Sequence, residues 1–184
     1  MDYTELIRGC KNEDRLAQKK LYEHFYGRMM GVCLRYATCR DEAAVILNKG
    51  FLKVFRQIKS FDSSKGRLDS WIYKIILNTA IDHFRSSCRH NDRMADMDQA
   101  DTVAESAEVL DYLSAEEIIV LIQKLTPAYR TVFNLSVMDG LSHAQIAREL
   151  RISEGTVKSN LAKARKKLQA MVHEMHKVML HYAK

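Results

Sequence analysis

Glycine and proline are scarce in this sequence, which contains seven glycines and one proline among 184 residues. Average usage of these two residues would give about 22 in a chain of this length. A β-sandwich or β-barrel needs many turns built on glycine and proline, so the sequence lacks the material for either architecture. The sequence therefore predicts an all-α protein.

The overall composition is typical of a folded protein, because 47% of the residues are hydrophobic and 28% are charged. These values suit one or two small domains. No apolar run approaches the roughly 18 residues of a membrane-spanning helix, and the first ten residues do not resemble a signal peptide. The four cysteines form no CxxC pair. We expect a cytoplasmic protein with reduced thiols and no membrane insertion.

Charge divides the chain into three blocks. Residues 1–91 contain 17 Lys/Arg against 10 Asp/Glu, residues 92–118 contain 1 against 9, and residues 119–184 contain 11 against 4. Two basic blocks joined by an acidic one favour two surfaces for a polyanion, and nucleic acid is the obvious candidate. The alternative is that these charges are solvated helix faces. Composition leaves both interpretations open.

Apolar residues in the first block recur at helical spacing. The pattern predicts helices from Leu16 to Tyr36, from Asp41 to Ile58 with Asp41 as the N-cap, and from Leu68 to near Arg89. The apolar face of the second helix comprises Ala44, Leu47, Phe51, Val54, Phe55 and Ile58. The acidic stretch that follows cannot bury much surface and is typical of a flexible linker. We therefore predict two small helical domains, residues 1–91 and 114–184, joined by an acidic linker at 92–113.

Short-range signals mark the helices of the second block. Ser114 with Glu117 and Ser142 with Gln145 each form a capping-box pattern. Pro127 occupies a first helical position after Thr126, where its missing N–H costs nothing. The pair Asp139 and Gly140 predicts a turn.

Residues 145–161 have the spacing of a helix-turn-helix. Ala147 falls where the two helices would touch, and Ile152 and Val157 would fill their shared core. Arg151 occupies a turn position where glycine is common because a positive φ is cheap for glycine, so Arg151 would require a strained or altered turn. Ser153 would cap the second helix. An ordinary αα-hairpin is the alternative interpretation.

The second helix of this unit could enter a major groove. Its polar residues suit base edges, and the basic run behind them suits phosphates. The candidate duplex-binding residues are Ser142, His143, Glu154, Thr156, Lys158, Ser159, Asn160, Lys163, Arg165, Lys166 and Lys167.

Beyond these patterns, nearly the whole chain resembles the extracytoplasmic-function (ECF) sigma factors, a class of the sigma-70 family of bacterial RNA polymerase subunits. In the second block the resemblance comprises Leu125-Thr-Pro127, Tyr129-Arg130, Val132-Phe133, Leu135, Gly140-Leu-Ser142, Gln145-Ile-Ala147, Ile152 to Ser159 and Ala164-Arg165. In the first block it comprises Arg35-Tyr36, Asp41-Glu-Ala43, Gly50 to Phe55, Phe61, Trp71-Ile72, Ile75, Asn78, Ala80-Ile-Asp82 and Arg85.

The resemblance implies promoter recognition together with core RNA polymerase. The second domain would hold the −35 duplex of promoter DNA and contact the flap of the second-largest polymerase subunit. The first domain would bind the clamp helices of the largest subunit and capture the non-template strand of the −10 element. The implied polymerase-binding residues are Asp41, Glu42, Asn48, Phe51 and Lys53. The implied single-strand residues are Ser63, Ser64, Lys65, Arg67, Lys74, Asn78, Asp82 and Arg85. An anti-sigma factor is a further implied partner, and Trp71 is expected to pack in the core.

The chain departs from the family pattern in two places. Ala44-Val45 and Asn48-Lys49 stand where an acidic pair and a glutamine are usual, which alters the clamp-binding face. Asn160 and Lys163 stand where arginine is usual. Lysine lacks the bidentate fork of arginine, so the base preference is expected to differ.

Two other functions remain as alternatives. A stand-alone regulator or sigma-like adaptor would act through DNA or protein partners without core polymerase. An enzyme is the weakest option, because the sequence contains no phosphate-binding loop, dinucleotide fingerprint or serine-hydrolase elbow. The His and Met residues near the C-terminus fit a heptad seam better than a metal site. We expect no cofactor, no metal and no catalysis.

The second helix of the helix-turn-helix has no internal stop signal, since no proline follows Glu154 and no glycine follows Gly155. It is predicted to reach Tyr182, a length of about 43 Å for about 29 residues. Its apolar stripe would then project beyond the helix-turn-helix and need cover from a partner. Fraying after about residue 170 is the alternative. The stripe comprises Leu168, Met171, Met175, Val178 and Tyr182.

Overall fold

The computed structural model describes residues 3–90 and 114–182, and within them every regular element is a helix. The predicted all-α fold is thereby confirmed. The chain divides into two compact units, Met1–His83 and Phe84–Lys184. The division falls inside a helix, whereas the sequence predicts a linker at 92–113. That linker lies outside the described residues, so the predicted domain boundary stays a prediction.

The first unit is built on four helices. They are α1 (Thr4–Lys11), α2 (Arg15–Tyr36), α3 (Arg40–Gln57) and α4 (Leu68–His90), with a 3₁₀ turn at Ile58–Ser60. The Asp14 carboxylate caps α2 by accepting a hydrogen bond from the Leu16 N–H at 2.8 Å. The N-cap of α3 is Cys39, not Asp41 as predicted, and its side chain makes no capping hydrogen bond. Asp41 instead lies in the first turn, where its charge complements the helix dipole.

The core of the first unit forms where α3 and α4 approach each other closely at Gly50. A Cβ atom at this position would lie 2.4 Å from the Cδ1 atom of Ile76. Only glycine therefore permits this spacing without repacking. On the predicted apolar face of α3, Ala44 and Phe55 are half-buried. The other four members, Leu47, Phe51, Val54 and Ile58, are buried as predicted.

The second unit contains the remaining four α-helices. They are α5 (Ala115–Gln123), α6 (Pro127–Phe133), α7 (His143–Leu150) and α8 (Glu154–Tyr182), with a π-helical segment at Asn134–Met138. Both predicted capping boxes are present, at Ser114 and Ser142. Gly140 has a φ of 71°, as the predicted turn requires. Local sequence signals thus placed these helix starts correctly.

A buried arginine joins α5 to α6. The Arg130 guanidinium is 2% exposed and donates hydrogen bonds to the carbonyls of Gln123 at 2.9 Å and Leu125 at 2.8 Å. These carbonyls lie at the end of α5, where helical partners run out. Arg130 is therefore a structural residue of the second unit.

The cysteines fit the expectation of unpaired thiols where their side chains are described. Cys10 and Cys33 are free and buried, and Cys39 is free and exposed. Burial raises the pKa of Cys33 to about 12, so its thiol stays protonated and unreactive. Cys88 lies among residues whose side chains are not described.

Candidate nucleic-acid interface

The turn between α7 and α8 has the geometry of a helix-turn-helix. Arg151 adopts a left-handed conformation (φ 58°, ψ 44°), which is the strained turn of the two possibilities that the sequence left open. The N–H of Ile152 donates to the Ala147 carbonyl at 3.1 Å. Ser153 caps α8, since its Oγ accepts the Thr156 N–H at 3.0 Å. The strained form of the turn and the predicted cap are both present.

The shared core of α7 and α8 differs in part from the predicted one. Val157 is fully buried, as expected, but Ala147 and Ile152 are only half-buried. The larger contribution comes from Ile146 and Leu150 of α7, which are 0% and 7% exposed. With its inner face packed in this way, the start of α8 keeps its outer face clear for a ligand.

The outer face of α8 carries most of the predicted duplex-binding residues. Asn160, Lys166 and Lys167 are half-buried. The Lys167 ammonium lies 5.4 Å from the centroid of the Tyr129 ring, within cation–π range. Of the two predicted residues on α7, Ser142 is the exposed N-cap and His143 is half-buried. The exposed residues of α8 are Glu154, Thr156, Lys158, Ser159, Lys163 and Arg165.

The length of α8 matches the prediction, since the helix contains 29 residues and ends at Tyr182 rather than near residue 170. Its apolar stripe is not uncovered throughout, however. Leu168 and Met171 pack against the buried cluster of Leu125, Tyr129 and Ala164. The prediction that these two side chains need a partner is therefore wrong, because their own unit covers them. The side chains of Val178 and Tyr182 lie outside the described set.

In the first unit, the predicted single-strand loop forms one wall of a cleft of about 660 Å³. Tyr3, at the N-cap of α1, and Thr4 and Ile7 within α1 also line the cleft. No pattern in the sequence indicated these three residues, which lie about 60 positions before the loop. The loop residues that line the cleft run from Phe61 and Ser63 to Asp69, and the predicted Ser63, Ser64, Lys65 and Arg67 are all exposed.

Hydrogen bonds within the loop fix its shape. The Asp62 carboxylate accepts the Ser64 N–H at 2.9 Å and the Ser64 hydroxyl at 2.7 Å. These bonds lower the pKa of Asp62 and keep it ionised. The Phe61 ring is buried and lies 5.2 Å from the Trp71 ring, centroid to centroid. Trp71 is half-buried, so its ring combines packing against Phe61 with partial exposure.

Asp69 binds two arginines beside this loop. It accepts hydrogen bonds from Nε and Nη2 of Arg67, both at 3.1 Å, and from Nη1 of Arg28 at 3.3 Å. The Arg67 hydrogen bond is the main cause that brings the pKa of Asp69 to about 2. Arg28 and Asp69 were not among the predicted site residues. Because they are 41 residues apart in sequence, no local pattern connects them.

The polar face of α4 is present as predicted, with Lys74, Asn78 and Asp82 exposed and Arg85 half-buried. Asp82 accepts a hydrogen bond from the Lys53 ammonium of α3 at 3.0 Å. Asp82, which is predicted to bind DNA, is therefore paired with Lys53, which is predicted to bind polymerase.

The predicted polymerase-binding residues of α3 differ in accessibility. Phe51 is 2% exposed and packs against Tyr22, with ring centroids 4.7 Å apart, so it is a core residue and not a surface contact. This corrects its assignment. Asn48 is exposed and accepts the Tyr22 hydroxyl at 3.0 Å. Asp41 is exposed and Lys53 is half-buried.

Glu42 has a structural role that its position in the sequence did not indicate. One carboxylate oxygen accepts the backbone N–H and the hydroxyl of Thr38, and the other lies 2.8 Å from Nε2 of His83. Burial raises the pKa of Glu42, but these hydrogen bonds outweigh it and lower the pKa overall. Glu42 therefore links the start of α3 to α4.

The segments that carry these two surfaces each match a known protein-family model. The family model "Sigma-70 region 2" matches residues 21–90, and "Sigma-70, region 4" matches residues 115–168. The chain belongs to the sigma-70 family. The helix-turn-helix lies inside the region 4 match, and the cleft loop lies inside the region 2 match.

Individual relatives align with nearly the whole length of this sigma factor. The ECF RNA polymerase sigma factor SigK of Mycobacterium tuberculosis (strain ATCC 25618 / H37Rv) is 26% identical over 174 residues, covering 91% of this chain and 92% of SigK. SigW of Bacillus subtilis (strain 168) is 27% identical over 182 residues, covering 92% of this chain and 96% of SigW. The fold resembles that of Bartonella quintana RpoE, solved in complex with the anti-sigma factor NepR. The TM-score is 0.50 and the identity is 20%, over 84% of this chain and 96% of RpoE.

Within residues 3–90 and 114–182, none of the helices combines the length and the hydropathy of a membrane-spanning segment. The same residues contain no group of three or more ligating side chains that could hold a metal ion.

Proposed function

We propose that this sigma factor recognises promoters with two separate surfaces. The outer face of α8 binds the −35 duplex, and the cleft beside the loop at 61–67 takes up a single strand of the −10 element. The observation that carries this proposal is the capped helix-turn-helix, in which Val157 and Ile146 bury the inner face and Lys158 and Lys163 project outward. We assign the domains as 1–91 and 114–184, joined by 92–113.

The arrangement of α8 supports a division between base contacts and phosphate contacts. Lys158, Ser159 and Asn160 lie in the first two turns, where a recognition helix meets base edges. Arg165, Lys166 and Lys167 follow one to two turns later, where a helix leaving the groove passes the DNA backbone. Lys167 is held beside Tyr129, which limits its reach, so Arg165 and Lys166 carry the larger share of phosphate binding.

The outer face of α3 is the proposed contact with core polymerase. Val45 and Leu52 are large exposed apolar residues seven positions apart, so they lie on one side of the helix. Exposed apolar side chains on a surface helix favour a protein partner. Asn48 and Lys49 are exposed between them. This face replaces the earlier assignment of Phe51, and Asp41 and Lys53 lie at its margins.

The proposed function places the protein in the cytoplasm, where it acts as a regulator without catalysis of its own. An anti-sigma partner remains a prediction from the resemblance to ECF sigma factors.

Run-off transcription with core RNA polymerase of the source organism tests the proposed function. Promoters are first located by sequencing RNA 5′ ends after overexpression of the chain. Addition of the purified chain to core enzyme should give transcripts that start at these sites. A chain that binds these promoters but neither associates with core enzyme nor starts transcripts would be a stand-alone regulator, and the proposal would be wrong.

A further inference from the structure

Arg28, Asp69 and Arg67 form a charged cluster at the cleft. Arg67 and Asp69 line the cleft, and Arg28 of α2 contacts Asp69 at 3.3 Å. One carboxylate holds two guanidinium groups, so the cluster has a net charge of +1. Such a cluster can stabilise the fold, or it can present its excess positive charge to a ligand.

The exposed fractions of the three side chains favour the second role. The Asp69 side chain is 17% exposed, whereas the side chains of Arg67 and Arg28 are 83% and 62% exposed. The Asp69 carboxylate is therefore much less accessible to solvent than the two guanidinium groups. The surface of the cluster consequently presents mainly positive charge. Exposed ion pairs contribute little to stability, so a purely structural role would gain little from two exposed arginines.

The Arg67–Asp69 pair occupies only one edge of the Arg67 guanidinium. The pair uses Nε and Nη2 of Arg67, which form one edge of the planar group. The other edge, between Nη1 and Nη2, points away from Asp69 because the guanidinium is rigid and planar. That second edge has the bidentate geometry that suits a phosphate.

Aromatic side chains lie in the same cleft. Tyr3 is held in place because its hydroxyl lies 2.9 Å from Nε2 of His24 and its ring lies 5.8 Å from the Phe25 ring. Phe61 also lines the cleft, but its ring is buried against Trp71, so the half-buried Tyr3 is the ring available to a base. Arginines beside an accessible aromatic ring are the combination that binds single-stranded nucleic acid, with phosphates on the guanidinium groups and a base against the ring.

We propose that Asp69 is a positioning residue that holds Arg67 and Arg28 at the rim of this cleft to bind a phosphate of single-stranded DNA. This inference rests on the proposed function and adds three residues to it: Asp69, Arg28 and the cleft-lining Tyr3. Asp69 itself does not touch the DNA.

The substitution Asp69→Asn distinguishes a positioning role from an effect of net charge, because the two predict opposite changes in affinity for single-stranded DNA. It removes a negative charge from a surface that binds a polyanion, so net charge alone predicts tighter binding. The positioning role predicts weaker binding, because a neutral amide does not hold two guanidinium groups in place. Glu13→Gln is the matched control. It removes the same charge from the same unit, and Glu13 pairs with Lys59 at 2.8 Å and does not line the cleft.

The experiment measures fluorescence anisotropy of a labelled, mixed-sequence, 12-nucleotide DNA single strand with the full chain at several salt concentrations. Asp69→Asn should weaken binding about threefold, as expected for loss of one positioned ion contact. Arg67→Ala should weaken binding similarly and reduce the salt slope by about 0.7, the value for one phosphate on a single strand. In the double variant, Asp69→Asn should cause a smaller loss than it does alone, because only Arg28 is left for Asp69 to position. Glu13→Gln should bind as tightly as the unchanged protein or more tightly.

Binding by Asp69→Asn that equals or exceeds that of the unchanged chain would overturn the positioning role. Additive losses in the double variant would overturn it as well. If Asp69→Asn does not fold, as judged by thermal unfolding, Arg28→Ala replaces it, and an unchanged salt slope for that variant overturns the proposal. The proposed function is judged separately by run-off transcription, so a chain that starts transcripts but fails these binding tests disproves the inference alone.

Discussion

The two candidate DNA surfaces are built in opposite ways. On α8, the candidate residues are consecutive in sequence and project from one face of one helix. In the first unit, the cleft is lined by the start of the chain, a loop and the start of α4. Two of its charged residues, Arg67 and Asp69, are paired with each other.

Under the proposed function, this difference corresponds to the two forms of DNA that the two surfaces would bind. A duplex presents a regular groove, and one packed helix with an outward polar face is sufficient to enter it. A single strand has no fixed shape, so a site for it must supply a fixed shape of its own. Ion pairs and loop hydrogen bonds in the first unit provide that fixed shape.

The largest expected effect is on the stability of the second unit. Arg130→Ala would remove the guanidinium that donates to the half-buried Gln123 carbonyl and the buried Leu125 carbonyl, at a cost of about 2–4 kcal/mol. Denaturant unfolding of a fragment containing residues 114–184 measures this directly. The exposed Lys124→Ala serves as the control and should change stability by less than about 0.5 kcal/mol. Equal effects of the two substitutions would show that the buried arginine is not structural.

A somewhat smaller effect is expected in the first unit, at the close approach of α3 and α4. Gly50→Ala introduces a Cβ into contact with Ile76 and should destabilise the unit by about 1–3 kcal/mol. Gly27→Ala is the matched control, because nothing lies within 4 Å of its Cβ position on α2. That substitution should stabilise the helix by about 0.5–1 kcal/mol. Thermal unfolding of both variants should therefore give shifts of opposite sign.

Removal of one phosphate contact in the second unit should have a moderate effect. Arg165→Ala should weaken binding to all duplexes alike and reduce the salt slope by about 0.9. Titration of cognate and random duplexes over a range of salt concentrations provides the measurement. A loss confined to the cognate duplex would mean that Arg165 contacts a base instead.

The smallest expected effect is a pH dependence of the first unit. The pKa of Asp69 is about 2 in the folded chain and about 3.9 in an unfolded chain. Because the folded pKa is the lower one, the ion cluster stabilises the fold fully above about pH 4 and loses this contribution as the pH falls toward 2. Asp69→Asn should flatten the fall in stability over this range. Unfolding measured at several pH values tests this, and identical profiles for both proteins would contradict it.

The sequence predicts well the features that depend on neighbouring residues. The caps at Ser114 and Ser142, the turn at Gly140 and the strained turn at Arg151 each follow from a few adjacent side chains, and all are present. The length of α8 also follows from the absence of stop signals. The capping residue of α3 was mispredicted because Asp41 satisfies the same preference in the first turn as it would at the cap.

Features that depend on tertiary contacts could not be predicted in the same way. Arg28 and Asp69 meet across 41 residues, and Tyr3 reaches the loop across about 60, so no spacing rule relates them. Phe51 lies on the predicted apolar face of α3, and this position alone predicts that it is buried. The resemblance to the family implied a polymerase contact instead. The cover over Leu168 and Met171 required knowledge of where α5 and α6 pack.

The central claim is that α8 recognises the −35 duplex and that the cleft of the first unit binds single-stranded DNA. It is tested most directly by run-off transcription from a promoter with an intact or a scrambled −35 element. With core enzyme, the unchanged chain should lose most of its transcription when the −35 sequence is scrambled. A chain with Lys158→Ala and Asn160→Ala should transcribe poorly from the intact promoter and lose little more on scrambling, whereas Arg67→Ala should keep the full dependence on the −35 sequence. Equal dependence on that sequence in all three proteins would contradict the assignment of duplex recognition to α8.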